Sequence, residues 1–311
     1  MRLVVALGGN ALLRRHEPMT ADRQRANVHR AAAALAPLAR DHELVVTHGN
    51  GPQIGLLALQ QTAATSGFPL DVLGAQTEGM IGYLLEQALD EVLPKDRLVA
   101  SLLTRMLVDA DDPAFASPSK FVGPGYASEA EARSLEARQG WRFGRDGADW
   151  RRVVPSPRPR AILEERVIAL LLERGVTVVC AGGGGIPVLR DAAGNEVGVE
   201  AVVDKDHASA LLARTLGADG LLLLTDVPAV SLDYGRPTAR AIRRATPAML
   251  AGFEFPAGSM GPKVEAACAF VSQTGGFAAI GALEDAGEIL AGRRGTRIDR
   301  SAPTFVLEPP A

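Results

Sequence analysis

The chain has 311 residues, a formal net charge of −3 and 47% hydrophobic side chains. That is enough to bury one large core or two small ones, and the charge balance excludes a dominant nucleic-acid or anionic-membrane surface. Two cysteines cannot build a disulfide framework, and no unbroken apolar run, such as residues 31–36 before Pro37, exceeds six residues, far below membrane-spanning length.

Short β-rich runs alternate with longer helical patterns. Residues 3–7 read as a buried strand; with only Met1 and Arg2 ahead of it, the run is too short for an export signal, and the cytoplasm is the expected location. Residues 20–40 read as a helix with Thr20 at its N-cap and an apolar body at 31–38. A second strand at 43–47 precedes helices at about 52–66, opened by Pro52 at a first helical position, and at 75–93. Residues 98–103 read as a third strand.

The rhythm then breaks. From 108 to 159 the chain is rich in Pro, Gly and charge and holds both tryptophans, Trp141 and Trp150. This is too long for an ordinary loop, so it reads as an inserted subdomain with a short helix at 128–138 and hinges at Asp111-Asp112-Pro113 and Pro155-Ser156-Pro157. Beyond it, helices are expected at 162–174, 207–216, 263–273 and 283–291, and a strand at 277–280. Residues 177–181 and 221–225 are strands without polar alternation, as in a sheet covered on both faces. The pattern argues for an α/β fold with a mostly parallel central sheet, one domain over 1–311 with 108–159 inserted.

Four glycine motifs carry the chemistry. Three follow predicted strands: Gly8-Gly9-Asn10-Ala11, His48-Gly49-Asn50-Gly51-Pro52-Gln53 and Gly182-Gly183-Gly184-Gly185-Ile186-Pro187. The fourth, Gly258-Ser259-Met260-Gly261-Pro262-Lys263, precedes a helix. One such loop is usually a turn, but the carboxyl ends of parallel strands share one sheet edge, so the first three should converge there. Their exposed amides would cradle an anion. Of the 33 basic residues only Lys95, Lys120, Lys205 and Lys263 are lysine, and the last three lie in glycine-, serine- or aspartate-rich motifs. A compact ammonium there, with the carboxylates of Asp204-Lys205-Asp206, suits phosphoryl transfer, which needs positioned donors and cations rather than a nucleophile.

Other motifs fail. The first loop has Asn10 where a dinucleotide fingerprint needs its second glycine, Gly261 is followed by Pro262-Lys263-Val264 rather than Lys-Ser/Thr, and no Gly-x-Ser-x-Gly elbow is present. No second His or Cys stands at ligand spacing from His48, which reads as a hydrogen-bonding residue rather than a metal ligand or base.

The set of glycine loops, with Asp204-Lys205-Asp206, Gly79-Met80-Ile81-Gly82-Tyr83 and Arg151-Arg152-Val153-Val154-Pro155-Ser156-Pro157, resembles the carbamate kinases of the amino acid kinase superfamily from residue 3 to about 297. The resemblance implies a three-layer α/β/α sandwich around a largely parallel eight-stranded sheet, a protruding subdomain, a homodimer, and reversible phosphoryl transfer between ATP and carbamate with Mg²⁺. It also implies roles. Gly8, Gly9 and Asn10, with Gly49, Asn50 and Gly51, would hold the phosphoryl group and the carbamate. Lys120, reaching in from the subdomain, and Lys205 would neutralise phosphoryl charge, Asp206 would orient the lysines, and Lys263 would contact nucleotide phosphates. Thr225, Asp226, Val227, Tyr234 and Met260 would line the nucleotide pocket. The resemblance implies neither a nucleic-acid nor a membrane partner and no protein-held metal ligand. Two positions depart from the family pattern: Pro228, where aspartate is common, and Ala148-Asp149, where Arg-Gly is common. The first predicts altered nucleotide-loop geometry, because proline removes an amide donor, and the second a loss either of a subdomain anchor or of a group that captures carbamate. A kinase for a related small acid, or a catalytically quiet nucleotide-binding protein, are the alternatives these departures leave.

Overall fold

A computed structural model describes residues 1–13, 17–61, 67–256, 258–302 and 304–307. Its main sheet runs in the order Ser231–Leu232, Arg240–Ala245, Thr296–Ile298, Phe277–Ala282, Gly220–Thr225, Arg2–Leu7, Glu43–His48, Thr177–Val179, Val99–Ser101, with Val306–Leu307 pairing Arg240–Ala245 off this path. The six strands from Phe277–Ala282 to Val99–Ser101 are mutually parallel. The sheet has ten strands rather than the eight implied by resemblance; the surplus is the two-residue strands Ser231–Leu232 and Val306–Leu307 at one edge.

Side-chain alternation explains the layers. Along the central strands, Val4, Ala6, Val45, Leu221 and Leu223 enter one core, while Leu3, Val5, Leu7, Leu44, Val46, Leu222 and Leu224 enter the other. Helices Glu165–Glu173, Lys205–Thr215 and Met260–Thr274 cover the first core, and Ala21–Asp41, Leu70–Val92 and Ala286–Leu290 cover the second. Thr20 caps its helix as expected, its side chain accepting the Arg23 amide at 3.4 Å. None of the described helices is long and apolar enough to cross a membrane.

Several boundaries differ from expectation. The helix expected at 52–66 spans Gly51–Gln60, and residues 62–66 of that reading lie outside the described residues. The helix expected from 75 begins at Leu70, behind Pro69, because Leu70 and Leu73 pack into a third core with Val122 and Val154. The strand expected at 98–103 is limited to Val99–Ser101; the chain then enters a separate sheet ordered Glu196–Gly198, Ile186–Arg190, Arg105–Val108, Pro159–Ile162.

Arg105–Val108 and Pro159–Ile162 pair antiparallel. Between them the chain builds a three-stranded sheet of Lys120–Tyr126, Asp149–Val154 and Arg142–Asp146, with helix Glu129–Gln139. Several contacts dock this unit on the body. A Cβ on Gly55, in helix Gly51–Gln60, would stand 1.9 Å from the Gly123 Cα, so only glycine permits the helix to touch the Lys120–Tyr126 strand. The buried Arg152 guanidinium donates to Glu200 at 2.9 Å and lies over the Trp141 ring. Lys120 forms an ion pair with Asp204.

Candidate active site

The carboxyl ends of the parallel strands open into a cleft of about 1010 Å³ beneath the three-stranded unit. Gly8, Gly9, Gly49, Asn50, Gly51, Lys120, Lys205, Asp206, Thr225, Asp226, Val227, Tyr234, Met260 and Lys263 all line it. Asn10 belongs to the short helix Gly9–Leu12, but its side chain lies outside the described residues. Gly183 and the Gly258–Met260 turn also reach the cleft, so all four glycine motifs converge.

The 8–9 and 49–51 loops are locked to the sheet and to each other. The Gly8 amide donates to the Leu224 carbonyl at 2.8 Å and the Gly49 amide to the Leu7 carbonyl at 3.0 Å. A Cβ on Gly49 would lie 2.9 Å from the Gly9 nitrogen and 3.6 Å from Lys205 Cδ, so a bare backbone at 49 admits both the neighbouring loop and the lysine stem. Asn50, itself buried, stands at the N-cap of Gly51–Gln60 without capping it; its Nδ2 donates instead to Thr77 Oγ1 at 2.8 Å. The first-turn amides of that helix are left for an anion.

Opposite these loops stand the cations. Asp204 caps helix Lys205–Thr215, accepting the Asp206 amide at 2.9 Å and the His207 amide at 3.4 Å, and this cap fixes where Lys205 and Asp206 point. Asp206, 3% exposed, receives Lys205 Nζ on one oxygen at 2.5 Å and Lys263 Nζ on the other at 3.1 Å. Burial alone would raise the Asp206 carboxyl, but the two ammonium groups overcome it and hold it below the usual range. Burial lowers Lys205 to about 8, against the opposing pull of Asp206. Lys263 lies one turn into helix Met260–Thr274, whose N-cap Ser259 makes no side-chain cap. The Ser259 and Gly261 amides go to the Pro256 carbonyl at 3.2 and 2.9 Å and Pro262 has none, so this turn presents the cleft chiefly with the Lys263 ammonium. The fourth lysine, Lys95, donates to the Asp90 carbonyl on the surface.

The two departures sit differently with respect to the cleft. Val227 and Ala229 line the cleft, whereas the Pro228 carbonyl packs at Gly281, where a Cβ would meet it at 2.9 Å. Pro228 itself does not line the cleft. Ala148 sits in the tight turn between Arg142–Asp146 and Asp149–Val154; the cleft-facing guanidinium here is Arg151, held by Asp146 at 2.6 Å and the Gly123 carbonyl at 3.2 Å.

Sequence reasoning left Asp204 without a role of its own, although an Asp directly ahead of a helical pattern is a capping signal. It also missed Asp146 and Asp149, which line the cleft from the three-stranded unit; only tertiary docking brings them there. His48 is fully buried, its ring Nδ1 3.2 Å from the Gly49 carbonyl, and burial lowers it to about 4, so it is a neutral structural imidazole. Among the described residues no group of three or more His, Cys, Asp or Glu could hold a metal ion.

Comparison with known proteins agrees with this geometry. The sequence model of the amino acid kinase family matches residues 1–276. The carbamate kinase of Rhizobium meliloti is 56% identical over 306 residues, covering 97% of this chain and 94% of that protein. That of Haemophilus influenzae is 52% identical, covering 96% and 97%. The structure of the Giardia lamblia carbamate kinase bound to AMP-PNP superposes with a TM-score of 0.87 at 41% identity, covering 96% of this chain and 98% of that one. With identity this high over nearly the whole length, the chain belongs to the amino acid kinase family, among its carbamate kinases.

Proposed function

We propose that this protein catalyses ATP + carbamate ⇌ ADP + carbamoyl phosphate and works mainly to make ATP from carbamoyl phosphate. The observation that carries the reading is the Lys205–Asp206–Lys263 triad facing the 8–9 and 49–51 loops across one cleft, with Lys120 reaching in from the opposite wall. Carbamate is a small planar anion; the Gly51 amide and the Asn50 side chain, beside the bare Gly49 backbone, form its seat. The transferring phosphoryl group lies between that seat and the Gly8-Gly9 turn, with the Gly9 amide as its donor there. Charge gathers on its oxygens in the transition state, and Lys205 and Lys120 neutralise it there. Asp206 accepts no proton; it fixes the direction of two ammonium groups. Lys263 holds the nucleotide phosphates, and Thr225, Asp226, Val227, Tyr234 and Met260 enclose the nucleoside. Asn10 is assigned to the phosphoryl site on resemblance.

The donor set fits a Mg²⁺ carried in by the nucleotide. Asp204 and Asp206 are already engaged by lysines, so the ion's oxygen ligands would come from phosphates and water. Bound in that way, it supplies further charge neutralisation between phosphates.

In the direction of ATP consumption, carbamate formed from ammonium and bicarbonate is expected to support ADP release, while acetate and aspartate are not. An acid panel with coupled ADP detection reads this, and a better acceptor than carbamate would replace the substrate assignment.

The depressed lysine adds a pH dependence. Lys205 must be charged to act, and burial lowers it to about 8. The charged form prevails below that value, so kcat/KM is expected to fall as pH rises through about 8. Phosphate bound beside the ammonium favours its charged form, so the limb in kcat should lie at higher pH. A kcat/KM flat from about pH 7 to 9 would remove Lys205 from the rate-determining charge set.

We further propose a homodimer. Exposed Met80, Tyr83, Leu98, Leu103, Val167 and Leu170 sit on and around the edge strand Val99–Ser101, an apolar border that a second copy would cover. Sedimentation of the purified protein reads this directly. The same reading makes 108–159 an inserted subdomain that closes over the site.

A further inference from the structure

One helix, Leu70–Val92, reaches behind the acceptor seat with two adjacent side chains. Thr77, fully buried, accepts Asn50 Nδ2 at 2.8 Å and donates its own hydroxyl to the Gly74 carbonyl at 2.9 Å. The donation to Gly74 leaves the Thr77 oxygen lone pair aimed at Asn50 and sets which end of that amide points away. Glu78, 2% exposed, accepts the Gly182 amide at 2.7 Å on one oxygen and the Thr104 amide at 3.2 Å on the other. Thr104 Oγ1 in turn accepts the Ala181 amide at 2.9 Å. The carboxylate thus ties together the chain just beyond two neighbouring strands, Val99–Ser101 and Thr177–Val179.

The turn it holds is strained and tightly fitted. Ala181 has φ 49°, Gly183 67°, Gly184 100° and Gly185 85°. A Cβ on Gly183 would stand 2.1 Å from Asn50 Nδ2, so this turn is the wall against which the Asn50 amide rests. Asn50 is therefore gripped from two sides: by Thr77 through a hydrogen bond, and by the glycine turn that Glu78 pins. Burial raises the Glu78 carboxyl to about 8, opposed by the amides it accepts. The two amides aimed at it offset its desolvation, and losing either acceptor would leave a buried backbone N–H unpaired.

We infer that Thr77 and Glu78 are positioning residues for the acceptor seat, setting the placement of Asn50 and hence the enzyme's grip on the small acid. Neither touches the nucleotide side of the cleft. This rests on the proposed carbamate kinase reading for its substrate, but not for its geometry.

The test is Glu78→Gln, which keeps shape and volume but turns one acceptor into a donor facing a backbone N–H. The KM for carbamoyl phosphate is expected to rise roughly tenfold, the scale of one buried unpaired donor, with the KM for ADP within about twofold. Hydrogen exchange of the peptide spanning 180–186 should speed up, while exchange in the central strands stays as in the parent protein. Thr77→Val, nearly isosteric, should give the same split and carries the test if Glu78→Gln does not fold. Unchanged KM values and unchanged exchange in a folded variant would overturn the inference. So would KM values for both substrates rising together with a lowered melting temperature, the mark of a merely structural brace. If the parent protein makes no ATP from carbamoyl phosphate, the functional reading fails, and the exchange rates alone still decide whether Glu78 holds the turn.

Discussion

Lys205→Ala is expected to lower kcat by roughly 10²–10³, the loss seen when one preorganised donor to a developing charge is removed. The position is well determined. The Asp204 cap aims the first turn of the helix, Gly49 clears a path for the lysine stem, and Asp206 holds the ammonium at 2.5 Å. Stability should change little or improve. Burial already works against the charged form of this lysine, and Asp206 keeps Lys263 as partner once Lys205 is gone. Loss of rate with an undiminished melting temperature is the expected signature. Lys205→Arg should not restore activity, because a planar fork cannot occupy the slot beside Gly49 that the narrow stem and compact head fill. Steady-state kinetics with differential scanning fluorimetry reads both quantities, and wild-type-like turnover in Lys205→Ala would remove the residue from its role.

Gly55→Ala should be nearly as damaging although residue 55 lies outside the cleft lining. The added Cβ would fall 1.9 Å from the Gly123 Cα and 2.3 Å from its nitrogen, and both are backbone atoms that no rotamer change can move. Alanine within a helix gains up to about 1 kcal/mol over glycine, while overpacking costs about 1–3 kcal/mol. The cheapest relief is to lift the three-stranded unit off helix Gly51–Gln60. Global stability then changes by little, but Lys120, at the start of the lifted strand, leaves Asp204 and the phosphoryl path. A fall in kcat of the same order as Lys120→Ala, roughly 10², is expected. The double variant should lose no more than either single one, since both delete the same group from the transition state. Additive losses would mean that the glycine contact does something other than seat Lys120.

Much of the body was legible because local signals and burial agree. The run 221–224 is all leucine, and it is buried on both faces, sending alternate side chains into two cores, as an unbroken apolar strand should. Thr20 and Pro52 marked helix starts correctly. The cleft was legible through glycine and lysine, because those residue types are constrained by backbone approach and point charge rather than by distant partners. What was hidden depends on partners far along the chain. Arg240–Ala245 is a strand of the main sheet, yet its sequence Arg-Ala-Ile-Arg-Arg-Ala reads as surface; two of its arginines find acceptors, Arg243 on the Gly295 carbonyl and Arg244 on Asp299. Helix Leu70–Val92 starts early because Leu70 and Leu73 meet Val122 and Val154, which no window around residue 70 contains. The tie between Lys120 and Asp204 and the contact between Gly55 and Gly123 likewise exist only after docking. The Thr77–Glu78 brace carried no motif at all: Glu78 reads as one polar position on a long helix until two strand ends are placed against it.

The most direct test of the account is ATP formation by the purified protein from carbamoyl phosphate, ADP and Mg²⁺, followed through hexokinase, with Lys205→Ala alongside. Robust ATP formation is expected, falling by roughly 10²–10³ in the variant, the scale of one lost charge-stabilising donor. A folded protein that binds ADP but forms no ATP, or a variant as fast as the parent, would contradict it.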